Sequence, residues 1–272
     1  MSDNADDPSP LLPEVCRLGR AAGEAIMAIY STEFAVERKD DDSPLTAADM
    51  AAHHALVDGL AALTPTLPLL SEESAQIPFE ERRTWNRYWL IDPLDGTREF
   101  FKRNGEFTVN VALIDHGRPV LGLVYVPVTG VCYFAVVGQG AYRRDGNGPT
   151  EAIHCRPLGP GPVAIAGSRS HPSTQLEAFL TRVGPHEIKR IGSSLKSCLV
   201  AEGRADLYPR LGLTSEWDTA AAQCIVEAAG GRVTDTRMRP LRYNTKESLL
   251  NPHFFVSGDP NEDWSRHLDG DD

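Results

Sequence analysis

Nothing in this sequence approaches the roughly 20 consecutive apolar residues that a bilayer-spanning helix needs. Its start, Met1-Ser2-Asp3-Asn4-Ala5-Asp6-Asp7, is acidic where a secretory signal is basic and then apolar. Basic residues are also scarce: 27 Lys and Arg against 38 Asp and Glu leave a formal charge of −11. That balance argues against a broad phosphate-backbone footprint, and so against a nucleic-acid polymer as partner. A small phosphorylated ligand is still compatible, because bound metal ions reverse the local sign. The five cysteines (Cys16, Cys132, Cys155, Cys198, Cys224) are odd in number, scattered and never spaced C-x-x-C. Such spacing speaks against zinc or a disulfide framework and fits reduced, mostly buried thiols of a cytoplasmic protein. The eight histidines contain neither H-x-x-x-H nor H-E-x-x-H, and neighbours His53 and His54 point to different sides of a helix. There is no internal repeat.

What remains is a globular composition, 41% hydrophobic and 24% charged over 272 residues, enough for one large domain or two of ordinary size. The polar ends, about 1–10 and 260–272, read as frayed. Apolar residues at Leu11, Val15, Leu18, Ala22, Ile26 and Ile29 keep helical spacing. Glu37 to Ser43 reads as a solvated loop, and a second helix runs from near Thr46 to Leu63, where Thr64-Pro65 stops it. Strand-like runs follow at Leu67–Ser71, Tyr88–Asp92, Phe107–Ile114, Val120–Val126 and Val131–Val137, the last three forming an antiparallel meander. Beyond Pro162 the pattern becomes α/β. It has strands at Val163–Ala166 and Glu187–Ile191, and helices at Thr174–Val183, Ser194–Glu202 and Ser215–Ala229, the last capped by Gly230-Gly231. A boundary near 156 separates an α+β half, residues 1–156, from an α/β half, residues 157–272. Ligands in such folds sit between halves or at strand carboxyl ends.

The chemistry concentrates in carboxylates. In Asp92-Pro93-Leu94-Asp95-Gly96-Thr97 a strand is expected to end at Asp92, with Pro93 forbidding its continuation and Gly96 permitting close backbone approach. Two carboxylates three residues apart can share hard cations, while a new helix N-terminus beside them offers N–H groups to an anion. That combination suits phosphoryl chemistry. An Asx-rich turn capping a helix explains the same residues, and the turn alone does not separate the two readings. Glu72-Glu73 also follow a strand. Asp49 in Thr46-Ala47-Ala48-Asp49 and Asp218 in Ser215-Glu216-Trp217-Asp218 each complete a capping box, a structural explanation in itself. Should these acids converge, two charges 4 Å apart at an effective dielectric of 20 cost about 4 kcal/mol, so the group needs cations. An all-oxygen set prefers Mg²⁺, with Mn²⁺ as the second choice, over zinc.

Taken together, Asp49, Glu72-Glu73, Asp92 through Thr97, and Trp217-Asp218 resemble, in order, the motifs of the lithium-sensitive, magnesium-dependent phosphatase superfamily of inositol monophosphatases and fructose bisphosphatases. The resemblance covers roughly residues 25–260 and implies a layered αβαβα sandwich. Thr97-Arg98-Glu99-Phe100, the stretch Lys102 to Asn110, Gly192 to Lys196, Ala205 to Arg210 and Glu247 to Pro252 are similar to the nucleotidase branch, which acts on 3′-phosphorylated adenosine nucleotides. One departure is Ala221, where Gly is frequent in the superfamily.

Carried over, the resemblance implies that Glu72, Asp92 and the Leu94 carbonyl hold one Mg²⁺. Asp92, Asp95 and Asp218 would hold a second, and Glu73 would support a weaker third. Gly96 and Thr97 would offer N–H groups to the scissile phosphate, and Thr97 Oγ, oriented by Asp49, would help activate water. His171, Ser193, Lys196 and Arg210 would line the nucleotide side, with Ser168 a further polar candidate. The implied reaction is Mg²⁺-dependent hydrolysis of adenosine 3′,5′-bisphosphate to AMP and phosphate, in sulfate assimilation. The alternatives are an inositol monophosphatase and a non-catalytic phosphate- or nucleotide-binding regulator. The resemblance also allows a homodimer and a peripheral seat on the inner membrane, though no strongly basic amphipathic helix is present to explain the latter.

Overall fold

Alternation of inward and outward side chains along the strands divides the interior into three cores, and these define the layers. The computed structural model describes residues 7–32, 44–169 and 174–268, with 44–46 as backbone only. The expected loop at Glu37–Ser43 and the side chain of Thr46 lie outside the described residues. Helix α1 (Leu12–Tyr30) buries Val15, Leu18, Ala22 and Ile26, the stripe that helical spacing selects. Helix α2 (Pro44–Leu63) lies against it.

A seven-stranded sheet follows in chain order: β1 (Leu69–Ser71), β2 (Arg87–Asp95), β3 (Thr108–Asp115), β4 (Arg118–Val126), β5 (Val131–Val136), β6 (Gly140–Asp145) and β7 (Thr150–Ile153). Only β1 and β2 run parallel; the rest is a meander. Between β1 and β2 lies the short helix α3 (Phe79–Arg82), and α4 (Thr97–Phe101) follows β2. A five-stranded sheet has the order β11 (Arg232–Asp235), β12 (Phe254–Ser257), β10 (Leu207–Arg210), β8 (Val163–Gly167), β9 (His186–Arg190). Helix α5 (Thr174–Val183) follows β8, α6 (Leu195–Ala201) follows β9 and α7 (Glu216–Ala228) follows β10.

On one face of the large sheet, Trp89, Ile91, Val109, Val111 and Leu123 pack on α1 and α2. On the other, Tyr88, Leu90, Ala112 and Val124 share a core with α6, α7 and the inner face of the small sheet (Tyr208, Phe254, Val256). The small sheet's outer face, Ile165, Leu207 and Phe255, packs on Phe179 of α5 and on Trp264. Helices, sheet, helices, sheet, helix: this is the layered αβαβα arrangement that the resemblance implied.

Three expectations differ from the structure. Pro93 does not end β2, which continues to Asp95 with a shift of register between Asp92 and Asp95. Proline is tolerated at such an irregularity because no ladder N–H is required there. Strands β6, β7, β10, β11 and β12 gave no separate signal; β6 and β7 carry mixed polar residues because much of their surface is half-buried or exposed. The C-terminal stretch is not frayed at 264–267, where a 3-10 turn buries Trp264 and its indole N–H donates to Ser257 Oγ at 2.8 Å.

Candidate active site

Parallel pairing of β1 and β2 sets Ser71 opposite Ile91, so Glu72 follows the end of β1 beside Asp92 of β2. The register shift in β2 then turns Asp95 toward β3, opposite Thr108. Gly96 follows with φ +95°, a left-handed conformation suited to glycine. A Cβ there would lie 3.2 Å from Ser193 Cβ and 3.3 Å from Phe107 Cα, so the turn is held between two walls. Thr97 is the first residue of α4, whose opening N–H groups lack intrahelical acceptors.

Asp218 enters from the first turn of α7. The capping box read from the sequence is present: Asp218 Oδ2 accepts from the Ser215 N–H at 2.9 Å. Structural cap and site residue are therefore the same side chain. Asp49 comes from α2 and is buried; His53, one turn on, bonds Ser71 Oγ through Nδ1 at 2.9 Å.

These acids perturb one another. Burial, then Glu73 and Glu72, push the Asp49 carboxyl up to about 8. Burial and Glu73 push Glu72 up to about 7. Burial and Asp95 push Asp218 up to about 7. Asp92, fully enclosed, is raised well above the ordinary range by burial and then by Glu72, Asp95, Asp218 and Asp49. Among the described residues, no three His, Cys, Asp or Glu side chains already stand as a ready ligand group for a metal ion. The carboxyls are instead tied in pairs, Glu72 to Asp92 and Asp49 to Glu73. The donor chemistry nevertheless fits a hard divalent cation. It is all oxygen and mutually repelling, and Asp49 Oδ1 is buried without a hydrogen-bond partner.

Beside the acids opens a cavity of about 250 Å³, lined by Asp95, Gly96, Thr97 and Asp218 together with Ser168, Ser193, Lys196, Tyr208 and Arg210. Lys196 is enclosed, donates from Nζ to the Ser193 carbonyl at 2.6 Å, and sits 5.3 Å from the centre of the Tyr208 ring. Burial lowers its pKa, against the pull of Asp95. Ser193 has φ +46°, and its buried Oγ has no hydrogen-bond partner. Arg210 is oriented by donation to the Leu213 carbonyl at 2.7 Å. Glu72, Glu73, Asp92, Asp49 and Leu94 do not line this cavity. No hydrogen bond among the described residues joins Thr97 to Asp49. His171 lies outside the described residues.

Three residues given no role from sequence hold the acidic wall. Asp95 Oδ2 accepts from Ser194 N at 2.6 Å, Ser194 Oγ at 2.9 Å and Thr108 Oγ1 at 3.3 Å. Asn110 Nδ2 donates to Ser194 Oγ at 2.9 Å, and that hydroxyl also lies 3.0 Å from the Asp218 carbonyl. A signal existed for Asn110. It is a lone amide inside an apolar, fully buried strand, and buried polar groups need partners.

Fold and site define a family. A model of the inositol monophosphatase family matches residues 7–263, and the chain belongs to that family of phosphatases. It is 52% identical over 249 residues to the 3′(2′),5′-bisphosphate nucleotidase CysQ of Escherichia coli, covering 91% of this chain and 99% of that one. To the CysQ of Haemophilus influenzae it is 38% identical over 255 residues, covering 93% and 95%. The crystal structure of CysQ from Bacteroides thetaiotaomicron superposes with a TM-score of 0.86 at 41% identity, over 95% of this chain and all of that one. No helix among the described residues is long and apolar enough to cross a membrane.

Proposed function

We propose that this chain is a Mg²⁺-dependent 3′(2′),5′-bisphosphate nucleotidase that hydrolyses adenosine 3′,5′-bisphosphate to AMP and inorganic phosphate. The sulfated analogue, 3′-phosphoadenylyl sulfate, is its second substrate, within sulfur assimilation. The similarity to CysQ supports the reaction. The observation that carries it is the pairing, around one cavity, of a wall of mutually repelling carboxylates with an enclosed lysine and an arginine.

In this reading Glu72, Asp92 and the Leu94 carbonyl hold one Mg²⁺, and Asp92, Asp95 and Asp218 a second, with Glu73 toward a weaker third; Mn²⁺ satisfies the same donors. Cations held by these residues would supply Lewis-acid activation of a water at neutral pH and charge neutralisation at the phosphate. The chain does the rest. Gly96 and Thr97 present N–H groups to the phosphate at the start of α4. Thr97 Oγ, oriented by Asp49, helps to activate the attacking water. Lys196 acts as a point charge and Arg210 as a fork for the second phosphate, with Ser193 Oγ as a further donor, and the resemblance adds His171 to this set. The halves 1–156 and 157–272 divide the labour: the first brings most of the carboxylates, the second brings Asp218 and the groups that hold the nucleotide.

The test is phosphate release from adenosine 3′,5′-bisphosphate and from inositol 1-phosphate, each with Mg²⁺ and with EDTA, for the wild type and Asp95→Asn. The expected result is Mg²⁺-dependent release from the nucleotide, abolished by the substitution. Preference for the inositol ester overturns the substrate. Binding without turnover in folded, Mg²⁺-loaded protein overturns the reaction and leaves a binding protein.

A further inference from the structure

The stretch Lys102 to Asn110 is similar to the nucleotidase branch, yet Glu106 within it holds neither metal nor phosphate. Its carboxylate joins the first half of the chain to the second beside the cavity. Oε1 accepts from Arg169 Nη2 at 2.8 Å, and Oε2 accepts both from Arg169 Nε and from the Gly192 N–H, each at 2.9 Å. Glu106 is steadied in turn by its own N–H, which donates to Asn104 Oδ1 at 3.0 Å. Two-pronged pairing of a guanidinium with a carboxylate fixes direction as well as distance.

The segment held in this way carries part of the site. Gly192, Ser193, Ser194 and Lys196 all line the cavity. Groups from the first half fix the segment at two points, the Gly192 N–H by Glu106 and the Ser194 N–H by Asp95 Oδ2 at 2.6 Å. Between these points Ser193 has φ +46°, uncommon for a residue with a side chain. Its carbonyl accepts from Lys196 Nζ at 2.6 Å, and its buried Oγ has no hydrogen-bond partner. A Cβ on Gly192 would come within 2.7 Å of the Glu106 carbonyl oxygen and 2.5 Å of Glu99 Cγ, so the backbone has no room to shift toward them. A sparsely populated conformation persists only where its surroundings over-determine it, and here the two flanking N–H groups do so.

We propose that Glu106, locked by Arg169, is a positioning residue for the second-phosphate site. By holding Gly192 it keeps Ser193 Oγ and the Lys196 ammonium in place for the phosphate that is not hydrolysed. Asp95 ties the segment to the metal ligands, and Glu106 ties its other end to the loop before β3. The effect on the second phosphate rests on the nucleotidase reading; the latch between Glu106, Arg169 and Gly192 does not. Because these contacts involve no metal ligand, their loss should appear in substrate binding and not in the chemical step.

The test compares Glu106→Ala, Glu106→Gln and Arg169→Met in the full chain with Mg²⁺. With Glu106→Ala the KM for adenosine 3′,5′-bisphosphate should rise about tenfold while kcat stays within about twofold. The KM for inositol 1-phosphate, which has no second phosphate, should stay within about twofold. Glu106→Gln keeps an oxygen for the Gly192 N–H and should recover most of the loss. Arg169→Met should raise the nucleotide KM about threefold, and adding it to Glu106→Ala should raise it no further, since the two side chains act as one unit. Amide hydrogen exchange supplies a readout that needs no substrate. In Glu106→Ala a peptide spanning residues 191–197 should exchange faster, while one spanning β4 and β5 should not change. Unchanged exchange at 191–197 overturns the latch. Faster exchange throughout the chain, or equal KM losses on both substrates, leaves Glu106 a general stabilising role and overturns the positioning. Losses that multiply in the double variant give Arg169 a place of its own at the substrate and overturn the pair. A wild type that releases phosphate from inositol 1-phosphate but not from the nucleotide overturns the proposed function, and the exchange measurement then decides the latch alone.

Discussion

The two walls of the candidate site bury charge of opposite sign, and each is incomplete in the opposite sense. On the acidic side, Asp49, Glu72, Asp92 and Asp218 come from four different elements, and burial with neighbouring carboxylates raises the proton affinity of each. On the facing wall, Lys196 is enclosed with a carbonyl and a tyrosine ring as its immediate partners. Burying one sign of charge without compensation is costly. A phosphate ester with divalent ions offers compensation to both groups at once. Stability given up at a site like this is what makes ligand binding and folding interdependent.

The largest effect should come from removing a charge on the acidic wall without changing its shape. Asp95→Asn keeps the volume and the hydrogen bonds from Ser194 but removes one of the negative charges offered to cations. We expect kcat for the nucleotide to fall about a thousandfold, equivalent to about 4 kcal/mol of barrier. A steady-state assay at saturating Mg²⁺ checks it, and a loss below tenfold would separate Asp95 from the metal wall. Next comes the facing wall. Lys196→Met preserves packing against Tyr208 but removes the cation. The kcat/KM for adenosine 3′,5′-bisphosphate should fall about a hundredfold, through KM, while inositol 1-phosphate, with no second phosphate, changes by less than about threefold. Equal losses on both substrates would place Lys196 at the reacting phosphate and remove the distinction between the walls.

The acidic wall also sets a pH dependence of stability. In the protein without metal, Glu72 and Asp218 hold their protons to about 7 and Asp49 to about 8, whereas the unfolded chain releases them near 4.5 and 3.8. Between those limits the native state binds more protons than the unfolded state, so stability is complete on the acid side and is lost as pH rises through 7 to 8. Melting in EDTA from about pH 5.5 to about pH 8.5 should show a loss of about 5 kcal/mol, or roughly 10 °C in Tm for a chain of this size. Mg²⁺ should flatten the curve by binding the ionised carboxylates. A Tm that rises with pH in EDTA would mean that the acids are compensated by some other group.

How much of this was legible depends on the length scale of the signal. The helical stripe of α1, the meander and both ends of α7 follow from periodicity and caps, which are local. Asp49, Glu72, Asp92, Asp95 and Asp218 could be named from short motifs, but their convergence depends on the parallel pairing of β1 with β2 and on α7 crossing the large sheet, which no local pattern encodes. The reading of Pro93 as a strand end failed because a register shift absorbs it. Local chemistry nominates residues, and long-range packing decides which of them act together.

The smallest effect separates a group that holds the acidic wall from one that merely fills space behind it. Ser194 Oγ has one proton and two acceptors in reach, Asp95 Oδ2 at 2.9 Å and the Asp218 carbonyl at 3.0 Å, and it accepts from Asn110 at 2.9 Å. It therefore links the ends of β2 and α7 with β3, and by engaging Oδ2 it leaves the second oxygen of Asp95 to face the cavity. Ser194→Ala removes that link while the Ser194 N–H still bonds Asp95. Groups that orient metal ligands typically change metal affinity by tenfold or more, so we expect the Mg²⁺ half-saturation, read from thermal shift, to rise about tenfold. Thr108 Oγ1, at 3.3 Å from the same oxygen, is the weaker support. Thr108→Val should therefore shift the same midpoint less than Ser194→Ala does. The reverse order would mean that the wall is held from within β3 and not from the start of α6.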